Sequence, residues 1–322
     1  MRIVRNSLPL LLVSALVVAF LGCQPSTGPD DGDVLSGKSI VDLSIQGTRP
    51  ATGSVAKALS QWGTAQSDSV VLPVKDVNGL QIGSLTLTDA RVALKDIELE
   101  SDDENEGEDL ELDFPGPFVV DLIHNTVIPP LDTVIIDSGL YTQIEIKLDK
   151  IEGDEDDEGG SQLVDPSDPL FGNSIYLEGS YTGATASGSV TAVPFILSFD
   201  FNETFELSSV GDSAVGFTLE EGVVNPIIIA FRLARWFSFS DTETNPNGVD
   251  FNVLTVSQDT SGQPIILLDE NAGDISAAND EIREVIEENI EESADYGKDK
   301  DGDGELGSDE DDDPDEEDDD DD

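Results

Sequence analysis

Tyr141-Thr142-Gln143-Ile144-Glu145-Ile146-Lys147-Leu148 alternates without a break: Thr142, Ile144, Ile146 and Leu148 fall on one side, and Tyr141, Gln143, Glu145 and Lys147 on the other. A strand sends successive side chains to opposite faces, so this period of two predicts a β-strand with one buried and one solvated face. The pattern recurs upstream. Val41, Leu43 and Ile45 alternate with Asp42, Ser44 and Gln46, and Ile82, Leu85 and Leu87 lead into Val92 and Leu94. The phase slips at Lys95-Asp96 before Ile97 and Leu99, which predicts a β-bulge. Phe118, Val120 and Leu122 alternate again; Leu131 to Ile136 resumes after Pro129-Pro130, and Asp137-Ser138-Gly139 supplies turn residues.

Downstream, Ile175 and Leu177 are followed by Phe195, Leu197, Phe199 and Phe201, then by Val215, Phe217 and Leu219. Ile227 to Leu233 is apolar on both faces, as a central strand requires, and Ala234 to Phe239 closes it with a short turn carrying Trp236. Phe251, Val253 and Ile265 to Leu268 complete the β region. About ten short strands with turn signals between them predict a mainly β fold, an antiparallel β-sandwich over residues 38–270. Ser54 to Trp62 reads as a short helix packing Val55, Leu59 and Trp62. One clear helix follows the strands: Ile275, Ala278, Ile282, Val285, Ile286 and Ile290 recur at helical spacing, predicting an amphipathic helix over 275–297. Ser276 caps its start, Asp280 and Glu281 suit the positive end of its dipole, and Gly297 is its stop.

The net charge is −55, from 70 acidic and 15 basic residues. Binding to nucleic-acid phosphates needs a clustered basic face, so nucleic acid is excluded as the expected partner. The acids crowd into Asp102 to Asp113, Glu152 to Glu158 and Asp299 to Asp322, which reads as solvated loops and a tail. With a single cysteine no disulfide framework exists, and packing must hold the fold.

Arg2 and Arg5, the apolar run Leu8 to Phe20 and the small Gly22 have the order of a secretory signal, placing a signal peptide at 1–22. Phe20-Leu21-Gly22-Cys23 resembles the lipobox of bacterial lipoproteins. That resemblance implies cleavage before Cys23, acylation of its sulfur and attachment to the membrane through it. Lipidation also accounts for one unpaired thiol in an oxidising compartment. Residues 23–37, rich in Pro, Gly, Ser and Asp, read as a flexible tether. Gln24 after the cysteine resembles the outer-membrane sorting rule of diderm bacteria.

The runs Leu85-Thr86-Leu87-Thr88-Asp89-Ala90-Arg91-Val92, Gly116-Pro117-Phe118-Val119-Val120-Asp121-Leu122 and Gly139-Leu140-Tyr141-Thr142-Gln143-Ile144-Glu145-Ile146-Lys147-Leu148 together resemble bacterial envelope lipoproteins that carry a β-rich domain of unknown function. The resemblance covers most of Ser39 to Leu268. It implies an envelope location and a β-rich fold, and no substrate or catalytic residue.

Chemistry-bearing residues are few. A nucleophilic hydrolase needs a base beside its nucleophile, and the only histidine, His124, sits at a strand end with no Gly-x-Ser-x-Gly elbow in the chain. Trp62 and Trp236 are read as core residues, with a sugar-stacking platform as the alternative. The sharpest motif is Asp299-Lys300-Asp301-Gly302-Asp303-Gly304-Glu305-Leu306-Gly307-Ser308-Asp309-Glu310, which fits the EF-hand calcium loop. Asp299, Asp301, Asp303, the carbonyl of Glu305 and both oxygens of Glu310 are its expected calcium ligands. Residues 311–322 are expected to form a disordered acidic tail. The expectation is a lipid-anchored envelope protein of binding or structural function, not an enzyme. It would hold Ca2+ weakly and meet the membrane through Cys23 and an envelope protein or glycan elsewhere. The alternative is an enzyme acting on envelope polysaccharide, or a glycan-binding accessory module.

Overall fold

The computed structural model describes residues 36–48, 68–76, 78–101, 111–152, 163–200, 202–208, 217–237, 249–269, 275–291 and 293–298. In the first half lie β1 (Lys38–Gly47), β2 (Val70–Lys75), β3 (Gln81–Glu100), β4 (Glu111–Asp121), β5 (Thr126–Ile128), β6 (Val134–Asp137), β7 (Gly139–Tyr141) and β8 (Gln143–Leu148). The second half adds β9 (Ile175–Thr185), β10 (Gly188–Phe199), β11 (Glu203–Ser208), β12 (Phe217–Leu219), β13 (Val224–Phe231), β14 (Ser257–Gln258), β15 (Pro264–Asp269) and β16 (Ala294–Lys298). Among the described residues two α-helices, α1 (Leu233–Trp236) and α2 (Ala277–Glu291), accompany them. The chain is mainly β and sandwich-like, as its alternation predicts.

The strands fall into a four-stranded sheet ordered β16-β13-β1-β6, a ten-stranded sheet built along β11-β8-β3-β9-β10-β15-β14, and the small pair β12-β7. β2 and β4 flank β3, and β5 extends β4. Ile144, Ile146 and Leu148 of the opening octapeptide are fully buried as read, but the strand breaks at Thr142, and Tyr141, read as outward, belongs to β7 and is fully buried. They join Val41, Leu43 and Ile45 of β1 and Ile227, Ile229 and Phe231 of β13 in one apolar core. β13 runs between β1 and β16 in its sheet, and its residues Ile227 to Phe231 are buried on both faces. Most pairings are antiparallel, but β1 with β13 and β10 with β15 are parallel, so the sandwich is mixed. Gly179 lets β9 close onto β3, since a Cβ there would run into the Thr86 carbonyl oxygen.

The phase slip at Lys95-Asp96 is a register shift of β3 against both β4 and β8. A second apolar cluster lies apart from the main core: Ala93, Val119, Ile151, Val164, Leu170 and Tyr176. The segment Val164 to Asn173 therefore covers apolar residues of β3, β4 and β9.

Two expected elements are corrected. The helix predicted over 275–297 ends at Glu291, and Ala294–Lys298 is an edge strand antiparallel to β13. Strand pairing wins because it sets Tyr296 opposite Ile229 and buries its ring against Phe217, with 5.7 Å between centroids. Gly297, read as a stop, is thus a strand residue. The start agrees with the sequence, since the Ser276 hydroxyl accepts the Asn279 N–H at 3.2 Å. Phe251–Val253, read as strand, is a 3-10 turn because the Asp250 carboxylate accepts the Asn252 N–H. The helix proposed at Ser54 to Trp62 lies outside the described residues.

Candidate functional site

Beyond its bulge, β3 keeps Ile97 and Leu99 inward and turns Asp96, Glu98 and Glu100 outward. β8 does the same with Gln143, Glu145 and Lys147. Register then brings acids together: Glu206 of β11 lies opposite Glu145, Glu145 opposite Glu98, and Glu98 opposite Asp113 of β4. Four carboxylates thus form one row across four neighbouring strands. Like charges directly opposite each other destabilise a sheet, so the row opposes strand pairing that the core side holds in place.

Glu100, opposite Gln143, adds a further acid beside the row. Carboxylate oxygens of Glu98, Glu100 and Glu145 come within 4.8 Å of one another. Partial burial raises the Glu145 pKa above its ordinary value, and the neighbouring charges of Glu100, Glu206 and Asp96 push it the same way. Gln143 Nε2 donates to Glu145 Oε1 at 2.9 Å. Burial also raises the Asp96 pKa, an effect that Lys147 opposes. Hard oxygen ligands converging in this way suit a divalent cation, or a shared proton.

A second polar cluster is built around Arg91 on the same strand. Its guanidinium donates to both oxygens of Asp89 at 2.8 Å and to Asp168 at 2.9 Å, and it lies 5.8 Å from the Tyr176 ring centroid. Burial raises the Asp89 pKa despite the pairing with Arg91, whereas the hydrogen bond from Arg91 lowers that of Asp168. The arrangement pins the segment carrying Asp168 onto β3. The arginine, a residue type common in anion recognition, is engaged here by two carboxylates.

His124 follows the end of β4, where Asp121 organises the turn. Asp121 Oδ1 accepts the backbone N–H groups of Ile123 and His124, and Oδ2 lies 2.7 Å from His124 Nδ1. The strand-end position agrees with the sequence, while the partner of the His124 ring is the Asp121 carboxylate, which the sequence does not indicate. Trp236 is fully buried and packs edge-on against Phe231, so the sugar-stacking alternative is withdrawn for it. Trp62 lies outside the described residues. So do Cys23 and the loop residues Asp299, Asp301, Asp303, Glu305 and Glu310. The strand β16 ends at Lys298, one residue before that loop.

Sequence reading missed the convergence of Glu98, Glu100 and Glu145. Each is individually visible as the outward member of an alternating strand. Their meeting depends on which strands are neighbours and in what register. Among the described residues no helix is long and apolar enough to cross a membrane. No protein-family model, curated protein or solved structure matches the chain.

Proposed function

We propose that this chain is a lipid-anchored extracytoplasmic protein of the bacterial envelope, with a binding or structural task. The observation that carries the reading is Cys23, the only cysteine, placed behind an apolar run and a small residue and followed by 13 residues up to Ser36. Acylation at that position accounts for both the lone thiol and the leader. Two or more acyl chains at one residue make attachment stable, where one chain is marginal. The rigid β scaffold and its outward acidic row suit a protein that presents a surface to its surroundings.

In the same reading the loop 299–310 takes calcium through Asp299, Asp301, Asp303, the Glu305 carbonyl and Glu310. The sequence after the loop, Asp311 to Asp322 with Pro314, has no apolar positions from which an exit helix could be built, so the loop is expected to be poorly preorganised and its dissociation constant to fall at about 10⁻⁴ to 10⁻³ M, the range of extracellular modules.

The anchor is tested by mass spectrometry of the mature chain purified from membranes, beside Cys23→Ser. Acylated Cys23 at the new N-terminus, and a soluble or uncleaved Cys23→Ser product, are expected. An unmodified thiol in the mature protein overturns the reading.

A further inference from the structure

Eight large apolar side chains stand exposed among the described residues, and four of them, Ile135, Leu140, Val223 and Val224, lie around the start of β1. Val224, Ile40 and Ile135 occupy one row across three strands, since Ile40 pairs with Val224 on one side and with Ile135 on the other. Val224 is 54 % and Ile135 62 % exposed, on the face of the sheet away from the core. Val223 in the turn before β13 and Leu140 in β7 are joined to the start of β1 by backbone hydrogen bonds at or near them. The Ile40 N–H donates to the Val223 carbonyl at 3.1 Å, and the Ser138 N–H, just before Gly139-Leu140, donates to the Gly37 carbonyl at 3.0 Å.

The chain enters the domain at this same end. Gly37 N–H is held by the Glu221 carboxylate at 2.8 Å, and the Gly222 N–H donates to the Lys38 carbonyl at 2.8 Å. Ile40 is four residues beyond Ser36, about 13 Å along a strand. From Ser36 back to Cys23 are 13 residues, which span at most about 45 Å when fully extended.

We infer that the exposed row Val224–Ile40–Ile135, with Val223 and Leu140, docks onto the lipid surface in which Cys23 is anchored; the inference rests on the anchor proposed above. A patch of five aliphatic side chains is too small to hold a free protein on a membrane. A leash this short makes the second contact intramolecular, and an effective concentration in the millimolar range makes a weak apolar patch sufficient. Aliphatic side chains gain by leaving water for the acyl boundary, each to a degree of about threefold to tenfold in partitioning. The charges nearby select the lipid. Glu221 and the Lys38–Asp137 ion pair border the row, and β16 ends at Lys298, opposite Ile227 near the start of β13, with acidic sequence next along the chain. Anionic headgroups are therefore repelled, and zwitterionic ones are the fitting surface.

The test uses the full-length acylated protein reconstituted into phosphatidylcholine vesicles. A polarity-sensitive fluorophore is placed by Val224→Cys, Ile135→Cys or, as the control on the same strand face, Ser44→Cys. Lipid-borne quenchers read proximity to the bilayer. Hydrogen exchange on the unlabelled protein reads the Ile135 and Val224 amides without any added probe.

Docking predicts a blue shift and quenching at Val224 and Ile135 but not at Ser44, and exchange at least threefold slower at the two amides on vesicles. Water-like spectra and unchanged exchange at both sites, in a protein that still floats with the vesicles, overturn the docking and leave the anchor intact. A protein that does not float and whose Cys23 also takes the label overturns the anchor, and the docking with it. Protection already present without vesicles overturns the docking too: if it rises with protein concentration a second copy is the occupant, and if not, the chain itself covers the row.

Discussion

Glu145 and Glu98 face each other across adjacent antiparallel strands, with Glu206 and Asp113 extending the row on either side. The apolar side of the same strands fixes this register, because a slip of one residue would turn Ile144, Ile146 and Leu148 out of the core. Core packing thus imposes a charge repulsion on the opposite face.

Neutralising one member should relieve it. Glu145→Gln keeps an acceptor for Gln143 and removes the central charge, and is expected to stabilise the fold by about 0.5 kcal/mol at pH 7, within the range of one cross-strand pair. The folded-state pKa of Glu145 is raised above its ordinary 4.5, so the folded state holds the proton more tightly. Stability of the parent therefore falls as pH rises from about 4.5 through the raised value, and the advantage of Glu145→Gln appears over that window. Urea titrations at pH 4 and pH 7 check this; an equal advantage at both would contradict it.

Asp168 carries the opposite sign. Arg91 lowers its pKa below the ordinary 3.8, so the stabilisation is complete above about pH 3.8 and is lost as pH falls through the folded value. The Arg91 side chain is 18 % and the Asp168 side chain 30 % exposed, so screening limits the pair, and Asp168→Asn is expected to cost about 1 kcal/mol at pH 7. Amides of Leu170 and Phe171 should exchange faster in the variant while those of Ile144 and Ile146 do not, since the segment rests on its own apolar cluster.

Tyr296 decides whether the chain after α2 is a working part of the fold. Its ring is 7 % exposed and meets Phe217 edge-on, so Tyr296→Ala should cost about 3 kcal/mol. An exposed residue at the frayed end of a longer helix would cost far less. The midpoint of chemical unfolding discriminates the two.

That residue also shows how much of the fold the sequence discloses. Alternation at Gln143 to Leu148 and at Val41 to Ile45 reports a local property, which face is apolar, and the strands there follow it; at Tyr141 it fails, because that residue belongs to β7, which pairs with β12. The β-bulge at Lys95-Asp96 is legible for the same reason. Pairing partners are not local. Nothing in Lys38–Gly47 indicates that it runs parallel to Val224–Phe231, about 180 residues away, because both would show the same inward pattern in either direction. Ala294–Lys298 is too short to show a period, and after the last helical apolar position, Ile290, nothing before Gly297 reads as a stop, so the β13 edge that captures the chain is not visible in the sequence. The acidic row is hidden by the same non-locality: Glu98 and Glu145 read as ordinary solvated positions until β3 and β8 are known to be neighbours.

Calcium has two competing destinations, the loop at Asp299 to Glu310 and the row at Glu98, Glu100 and Glu145. The loop offers one glycine for its turn and a bidentate acid at its twelfth position, an arrangement suited to wrapping one ion in six to eight oxygens. The row offers at most one face of a flat sheet, which leaves most of a calcium shell to water. Binding should therefore reside in the loop. Titration of calcium into the full chain by calorimetry is expected to give one saturable event with a dissociation constant of about 10⁻⁴ to 10⁻³ M. The double variant Glu310→Gln with Asp299→Asn should abolish it, and Glu98→Gln with Glu145→Gln should leave it unchanged. Because β16 ends at Lys298, the ion would order the chain that continues an edge strand rather than the end of a helix, and the Tyr296 and Gly297 amides should exchange more slowly when calcium is bound. Equal heats from the parent and the loop variant would mean that the acidic tail only condenses counterions. Loss of the event in the Glu98 and Glu145 variant would move the site to the sheet.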